Sequence, residues 1–261
     1  MEKTKIDWAE STYNPVTGCN HNCKYCYARS IATRFGGNAI NIPHILNEPF
    51  IVDGKKKPYP FGFVPTFHRY RLGEYAKKAG RNVFVCSMAD LFGEWVPDEW
   101  LREIFADCKT APQHNYLFLT KNPDRYIELL LKEQLPESRN MWYGVTVTNA
   151  AQAMEAETIM QDMSDIAGAF LSIEPILEDV SKDIEITIAN NFTDWVIVGA
   201  ETGNRKDRVK PKREWIEKIV NICKASNIPV FMKGSLEEIW GKELLQEYPE
   251  RLQRKTRGQQ D

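Results

Sequence analysis

Long apolar runs are missing from this chain of 261 residues. No stretch approaches the roughly 20 apolar residues of a membrane-spanning helix, and the N-terminal MEKTKIDWAES lacks an apolar signal region. We therefore expect a cytoplasmic protein without a membrane partner. An excess of one charge is also lacking, because 34 Lys and Arg oppose 36 Asp and Glu. Any polyanion must then be held by a local basic patch rather than by the overall charge.

Cysteine is scarce, with six residues in the chain, and this favours a reducing compartment over a disulfide framework. Three of the six are scattered: Cys86, Cys108 and Cys223. The other three lie together in the segment GCNHNCKYCYA, at Cys19, Cys23 and Cys26. The sequence thus concentrates half of its thiols in one short segment near the N-terminus.

The C-x3-C-x2-C spacing of this segment predicts a metal centre. Three thiolates cannot all pair in disulfides, but a short loop directs them towards a common point. Iron–sulfur clusters normally take four protein sulfurs, so three leave one iron open to a substrate or cofactor. Two alternatives remain: a zinc site completed by His21, although structural zinc usually joins two distant ligand pairs, and unrelated reduced thiols.

Short apolar runs alternate with segments of helical periodicity along the rest of the chain. The runs predict strands near Tyr13–Thr17 and from Asn82, Asn115, Trp142, Ala169, Asp194 and Ile228. The helical segments begin at Pro97, Pro123 and Arg213. This alternation predicts an α/β fold, a partial (β/α) barrel of six to seven parallel strands in one domain over 1–261. An open doubly wound sheet is the alternative.

The region from about 36 to 81 departs from this pattern and is rich in Pro and Gly. We interpret it as an insertion beside the cysteine segment, either a lid or a plain surface excursion, with a helix from about Thr66 to Lys78. The C-terminal RLQRKTRGQQD has the composition of a polar, frayed tail.

Polar side chains follow the predicted strands, at the edge where parallel β/α barrels place their reacting groups. Ser87 and Asp90 follow the second strand, and Thr146 ends the fourth. Glu174 and Glu201 directly follow apolar runs, so their burial is costly unless they are hydrogen-bonded. The cations of this edge, which we expect to contact substrate, are Lys121, Arg125 and Lys233.

The cysteine segment resembles that of the radical SAM superfamily, in which an aromatic residue, here Tyr25, precedes the last cysteine. The resemblance implies a 4Fe-4S cluster on Cys19, Cys23 and Cys26 that binds S-adenosylmethionine (SAM) at its open iron. It implies reductive cleavage of SAM to a 5'-deoxyadenosyl radical, which abstracts hydrogen from a substrate. It also implies a (β/α)6 core with the cluster loop after the first strand, and a reductant such as flavodoxin or ferredoxin.

The same resemblance suggests roles for individual residues. Tyr25 would lie near the adenine of SAM, and Ser87 and Asp90 would hold its amino group, with Asp90 the better acceptor. Cys86 lies near the end of the second strand and would return hydrogen to a product radical, as in some repair enzymes of the superfamily. The alternative is that Cys86 is a small buried apolar residue.

Further candidates for SAM binding are Thr146, Glu174 and Glu201. Gly199 and Glu201 resemble the GGE motif with which many radical SAM enzymes hold the SAM amino group. They follow the sixth predicted strand, however, whereas that motif normally follows the second.

Nearly the full length of the chain resembles a narrower group, the phage-type three-Cys-motif family of phages and bacteria. The segments that carry this resemblance are IDWAESTYNPVTGC, VFVCSMADLFGEWVP, FLTKNPDR, WYGVTVTN, LSIEPIL, WVIVGAETG and VFMKG. The family is of unknown function and implies a SAM-dependent cluster enzyme without indicating a substrate.

A basic segment, RKDRVKPKR, begins at Arg205 and includes Arg208. It predicts phosphate binding, unless it is a solvated loop, and favours a nucleotide, RNA or DNA substrate. We therefore expect a radical SAM enzyme acting on a nucleotide-containing substrate. The alternatives are a zinc-stabilised nucleic-acid-binding module without catalysis and a cluster-bearing subunit of another enzyme.

Overall fold

A computed structural model describes residues 4–36 and 44–253, which form twelve strands. In chain order the strands are β1 (Ser11–Tyr13), β2 (Val16–Thr17), β3 (His44–Leu46), β4 (Ile51–Val52), β5 (Lys55–Lys56), β6 (Thr66–His68), β7 (Asn82–Val85), β8 (Asn115–Thr120), β9 (Met141–Thr146), β10 (Gly168–Ile173), β11 (Trp195–Val198) and β12 (Val230–Met232). All residues of β7, β9, β10, β11 and β12 are buried, as expected for parallel strands that are covered on both faces.

The same residues form seven α-helices, none of which is long and apolar enough to cross a membrane. They are α1 (Tyr27–Phe35), α2 (Asp98–Thr110), α3 (Asp124–Leu131), α4 (Ala150–Met163), α5 (Glu185–Ala189), α6 (Arg213–Ala225) and α7 (Glu237–Trp240). Short 3-10 turns lie at Arg69–Arg71, Gly234–Leu236 and Glu250–Leu252. The three helices predicted from periodicity are confirmed as α2, α3 and α6. Two of them begin directly after Pro97 and Pro123, whose ring fixes a backbone angle suited to a helix start.

Contacts group the chain into two compact units, and the first comprises Met1–Thr146 with Thr202–Arg208. Four of its strands are parallel neighbours in the order β1-β7-β8-β9. Helix α2 connects β7 to β8, and α3 connects β8 to β9, which is the β/α alternation that the sequence predicts. Aromatic rings form the core around Phe118, whose side chain is fully buried.

Two predictions for this unit are wrong. The first sheet strand ends at Tyr13, because Asn14 and Pro15 interrupt it, and β2 pairs instead with β6 in a separate sheet of order β2-β6-β3. Pro15 has no N–H to donate to a ladder. The helix predicted over about Thr66 to Lys78 is instead the buried strand β6, a 3-10 turn and further turns. Gly73, at φ +79, has a backbone conformation that an α-helix cannot contain.

The second unit comprises Val147–Glu201 with Val209–Asp261. Its strands β10, β11 and β12 are parallel neighbours in that order. The register places Ile173 beside Val198, and Val198 beside Met232. The strands therefore end side by side, and the residues that follow them lie in one row.

The α/β class is thus confirmed, with four parallel strands in one unit and three in the other, as expected for a partial barrel. Grouping of contacts does not by itself separate folding domains, so the single domain stays a prediction. The predicted insertion contributes β3 to β6, and its residues 37–43 lie outside the described residues. Most of the predicted C-terminal tail, residues 254–261, also lies outside them.

Candidate functional site

The cysteine segment forms a loop between β2 and α1 in the first unit. Cys19, Cys23 and Cys26 are half-buried, and all three have free thiols. Cys19 and Cys26 pack against a small apolar cluster that includes Phe63 and Met88. The loop is thus anchored by apolar contacts, while its three thiols keep partial exposure to solvent.

Gly18 fixes the entry to this loop. Its φ is +91, and a Cβ there would lie 2.3 Å from the carbonyl oxygen of Val64. Its N–H donates to Met88 O at 2.9 Å, and the next N–H, of Cys19, donates to Phe63 O at 3.2 Å. Only glycine allows this close approach of two backbone segments, so Gly18 determines where Cys19 lies.

Helix α1 fixes the other end of the loop. Cys26 is its N-cap residue, and the Cys26 Sγ accepts a hydrogen bond from the backbone N–H of Arg29 at 3.3 Å. The Arg29 guanidinium also donates to the Cys19 carbonyl at 2.8 Å and lies 4.8 Å from the centre of the Phe63 ring. Arg29 therefore ties the first and last cysteines together.

His21 is held by the buried carboxylate of Asp90, at 2.8 Å from Nε2 to Oδ2. The other hydrogen bonds to Asp90 come from the Thr120 hydroxyl at 2.8 Å, the Lys121 N–H at 2.9 Å and the Phe92 N–H at 3.1 Å. Burial acts to raise the pKa of Asp90, but the hydrogen bonds and the His21 charge outweigh it, and the pKa is lowered. With two bonds at each oxygen, the acceptor positions of Asp90 are filled.

Burial controls the pKa of Cys19, the first of the three thiols. Burial is the largest cause that raises this pKa to about 12; the His21 backbone N–H acts to lower it, and Asp90, Cys23 and Cys26 add smaller increases to the same total. A bound metal would have to supply the positive charge that keeps this thiol deprotonated. Without such a charge, burial favours the protonated thiol of Cys19.

A single metal ion does not fit the side chains as they lie. Within residues 4–36 and 44–253, no three His, Cys, Asp or Glu side chains could hold one ion together. The Nε2 of His21 contacts Asp90, so a zinc ion would have to bind the other ring nitrogen, Nδ1. In a four-iron cluster each cysteine binds its own iron, so the sulfurs need not converge on one atom. The donor set, three thiols on one loop, fits such a cluster.

Other predicted residues of this unit have different surroundings. The Ser87 hydroxyl donates to Asn14 Oδ1 at 3.1 Å, and the Tyr25 ring lies 5.9 Å from the Lys121 ammonium. The Thr146 hydroxyl is buried, with no hydrogen-bond partner among the described residues. Cys86 is buried at φ +61, and burial raises its pKa to about 12. Its predicted hydrogen-atom transfer stays a prediction.

The second unit brings together two residues that the sequence assigned to different ligands. Glu174 and Lys233 form an ion pair across the end of β11, where Gly199 lies between them. A Cβ on Gly199 would lie 3.0 Å from Lys233 Cδ and 3.3 Å from Glu174 Cγ. The glycine therefore leaves the space in which the pair meets. Glu201, two residues after Gly199, is also buried. Its contact with SAM stays a prediction.

The predicted substrate-binding cations have mixed surroundings. Arg125 pairs with Asp98 and Glu128 and is largely buried, so its charge is already matched. Arg208 is exposed and donates to the Gly203 carbonyl at 3.0 Å, and Arg205 is half-buried. Lys121 lies beside the cysteine loop, because its ammonium is 5.9 Å from the Tyr25 ring and its N–H donates to the Asp90 carboxylate that holds His21.

A family model described as a protein of unknown function (DUF5131) matches residues 3–260. The chain belongs to this family. No curated protein and no solved structure matches the chain significantly. Membership in the DUF5131 family brings no activity, ligand or partner with it, so the function has to be inferred from the site itself.

Two residues that contact the cysteine loop or its neighbours, Arg29 and Asn14, are not among the residues predicted from the sequence. Arg29 had a local signal, because the N–H three residues after an N-cap is the one that bonds the cap side chain. Asn14 had none: its side chain accepts from Ser87 and from the Met88 N–H, both more than 70 residues away. Only the tertiary structure reveals such a contact.

Proposed function

We propose that this protein is a radical SAM enzyme in which Cys19, Cys23 and Cys26 hold a 4Fe-4S cluster. One observation carries the proposal: three free, half-buried thiols lie on a single short loop whose ends are fixed by Gly18 and Arg29. Three cysteine sulfurs leave one iron without a protein ligand, and SAM would bind there. The bound cluster would supply the electron that cleaves SAM to methionine and a 5'-deoxyadenosyl radical, which would abstract hydrogen from the substrate.

The chain's own residues would hold the loop ready for the cluster. The Arg29 guanidinium holds the Cys19 carbonyl, and the Arg29 backbone N–H donates to the Cys26 sulfur. Asp90 holds His21, which lies between the first two cysteines. Loop ligands held in place in this way bind a metal centre more tightly than mobile ones. The start of α1 at Cys26 adds the positive end of a helix dipole, which favours the negative charge of bound thiolates.

The candidate residues of the first unit differ in how well they suit SAM. The Thr146 hydroxyl is unpartnered among the described residues and suits a ligand contact. Asp90 already accepts four hydrogen bonds, so we assign it chiefly to holding His21. Tyr25 stays a candidate for stacking on the adenine, and Ser87 for the amino group of SAM.

We propose a nucleotide or nucleic acid as the substrate class. The support is the exposed basic segment that includes Lys206 and Arg208, where phosphate groups would have free access. Replacing Arg205 and Arg208 by Ala should weaken binding of a labelled oligonucleotide and flatten its salt dependence. Unchanged affinity would remove this substrate class while leaving the cluster chemistry untouched.

Anaerobic reconstitution of the full chain with iron and sulfide tests the central proposal. We expect a brown protein that releases 5'-deoxyadenosine from SAM when dithionite is added. The Cys23→Ala variant should lose colour and product, whereas Cys223→Ala, a buried cysteine outside the loop, should keep both. A colourless protein holding one zinc ion would contradict the proposal, and a stable cluster without 5'-deoxyadenosine would indicate a cluster-bearing subunit of another enzyme.

A further inference from the structure

An unusual distribution of charge surrounds the cysteine loop. Residues 11–47 contain no Asp or Glu, although acids are slightly more numerous than bases in the whole chain. The same residues contain Lys24, Arg29 and Arg34. The cysteine loop and α1 therefore form a positively charged segment on a weakly acidic protein.

Helix α1 also exposes an apolar stripe. Tyr27, Ile31 and Phe35 follow one another at intervals of four residues, so they lie along one side of the helix. Their side chains are 51%, 39% and 58% exposed. Ala28 and Ala32 cover the buried side, on the cluster that contains Phe63 and Met88. Large apolar residues that share an exposed helix side characterise a binding surface more than isolated ones do.

Two cations adjoin the stripe along the chain, Lys24 before Tyr27 and Arg34 before Phe35. Lys24 and Arg34 are exposed, and the described residues provide no carboxylate partner for either. Arg34 lies 5.7 Å from the centre of the Phe35 ring. Arg29 differs, because its guanidinium is used by Cys19 and Phe63. The surface thus has an apolar centre and a positive rim, which is how protein interfaces are commonly built.

We propose that this α1 face, defined by Lys24, Tyr27, Ile31, Arg34 and Phe35, binds a small acidic electron-transfer protein. The inference rests on the proposed function, since a cluster on Cys26 would need an electron from outside. Ile31 lies roughly 8 Å along the helix from Cys26, at the usual rise per residue. The face is small, and weak redox complexes have the smallest interfaces of the specific protein complexes.

A nucleic acid fits the same face less well. Phosphate binding gains affinity from many cations, whereas Lys24 and Arg34 alone are uncommitted among the described residues of this face. Tyr27 and Phe35 have exposed rings, but Ile31 lies between them, so the stripe is not a continuous stacking surface for successive bases. An acidic protein with an apolar centre complements both the charge and the apolar stripe.

Binding of reduced flavodoxin, as the acidic probe, to the reconstituted protein tests this inference. Ile31→Asp puts a negative charge in the centre of the stripe and should weaken binding at least tenfold. Thr33→Asp is the matched control: it adds the same charge to an exposed position on the opposite flank of α1 and should change affinity less than threefold. Added NaCl should weaken wild-type binding.

The readouts separate this inference from the proposed function. Dithionite bypasses the partner, so wild type and both variants should release 5'-deoxyadenosine equally when it is the reductant. Failure of that reaction in wild type would overturn the proposed function, while the affinities still test the surface. Equal affinity of the two Asp variants for flavodoxin, or no flavodoxin binding at all, would overturn the α1 face as a protein-binding site. The same holds if Ile31→Asp weakens the binding of an oligonucleotide but not that of flavodoxin.

Discussion

Gly18 is the residue on which the position of the cysteine loop depends most directly. It precedes Cys19, and its φ of +91 brings its Cα against the backbone of Val64 and Pro65. Any side chain there meets two difficulties, an unfavourable backbone angle and a clash with main-chain atoms that cannot rotate away.

We expect Gly18→Ala to lower the free energy of unfolding by about 2 kcal/mol or more. Gly73→Ala is the control, because Gly73 also has a positive φ, of +79, but a methyl group added there would meet no atom of the described residues within 4 Å. Gly73→Ala should lower the free energy of unfolding only by the cost of the backbone angle, about 1 kcal/mol. Urea unfolding of both variants measures the difference, and equal losses would show that the Val64 contact has no cost.

At the scale of elements, strand β6 links the cysteine loop to the rest of the first unit. It pairs with β2, and its His68 Nε2 lies 2.8 Å from the hydroxyl of Thr17, two residues before Cys19. Burial, with a smaller contribution from the charge of Arg71, lowers the pKa of His68 to about 3. The folded protein therefore holds this imidazole neutral.

This burial makes stability depend on pH. In the unfolded chain His68 binds a proton at its usual pKa of 6.5, whereas in the folded protein it does so only at about pH 3. The stability of the fold therefore decreases as the pH falls through that window. Between pH 7 and 5 we expect His68 to contribute a loss of about 2 kcal/mol. Unfolding of wild type and His68→Gln at both pH values measures it. A loss of the same size in the variant would contradict the assignment.

The aromatic cluster between the strands and helices of the first unit provides another prediction. Phe118 on β8 contacts the rings of Phe92, Phe105 and Tyr143, with centroids 5.5 to 6.0 Å apart. Phe118→Ala would leave a cavity in a fully buried position and should cost about 3–5 kcal/mol in unfolding free energy. Leu131→Ala, at a side chain that is 80% exposed, should be nearly neutral. A small loss at Phe118 would mean that the cluster repacks.

At the scale of the whole molecule, the core lies on the parallel strands and not on the cysteine loop. The three thiols are half-buried, whereas strands such as β9 and β10 are buried throughout. Cys23→Ala should therefore abolish cluster binding while thermal unfolding shifts by only a few degrees. Circular dichroism and iron analysis of the same sample check both parts. Loss of all secondary structure would instead indicate a metal that holds the fold together.

The sequence by itself determined the α/β class and the positions of most sheet strands and of three helices, and it predicted the three cysteines as a metal centre. Those features are local, since apolar runs, helical periodicity and close ligand spacing lie within short windows. The tertiary structure alone decided that β2 and β6 form a separate sheet, that Asp90 holds His21, and that Lys233 reaches Glu174 across Gly199. These contacts join residues far apart in the chain, and their geometry depends on strand register and backbone approach, which no local pattern encodes.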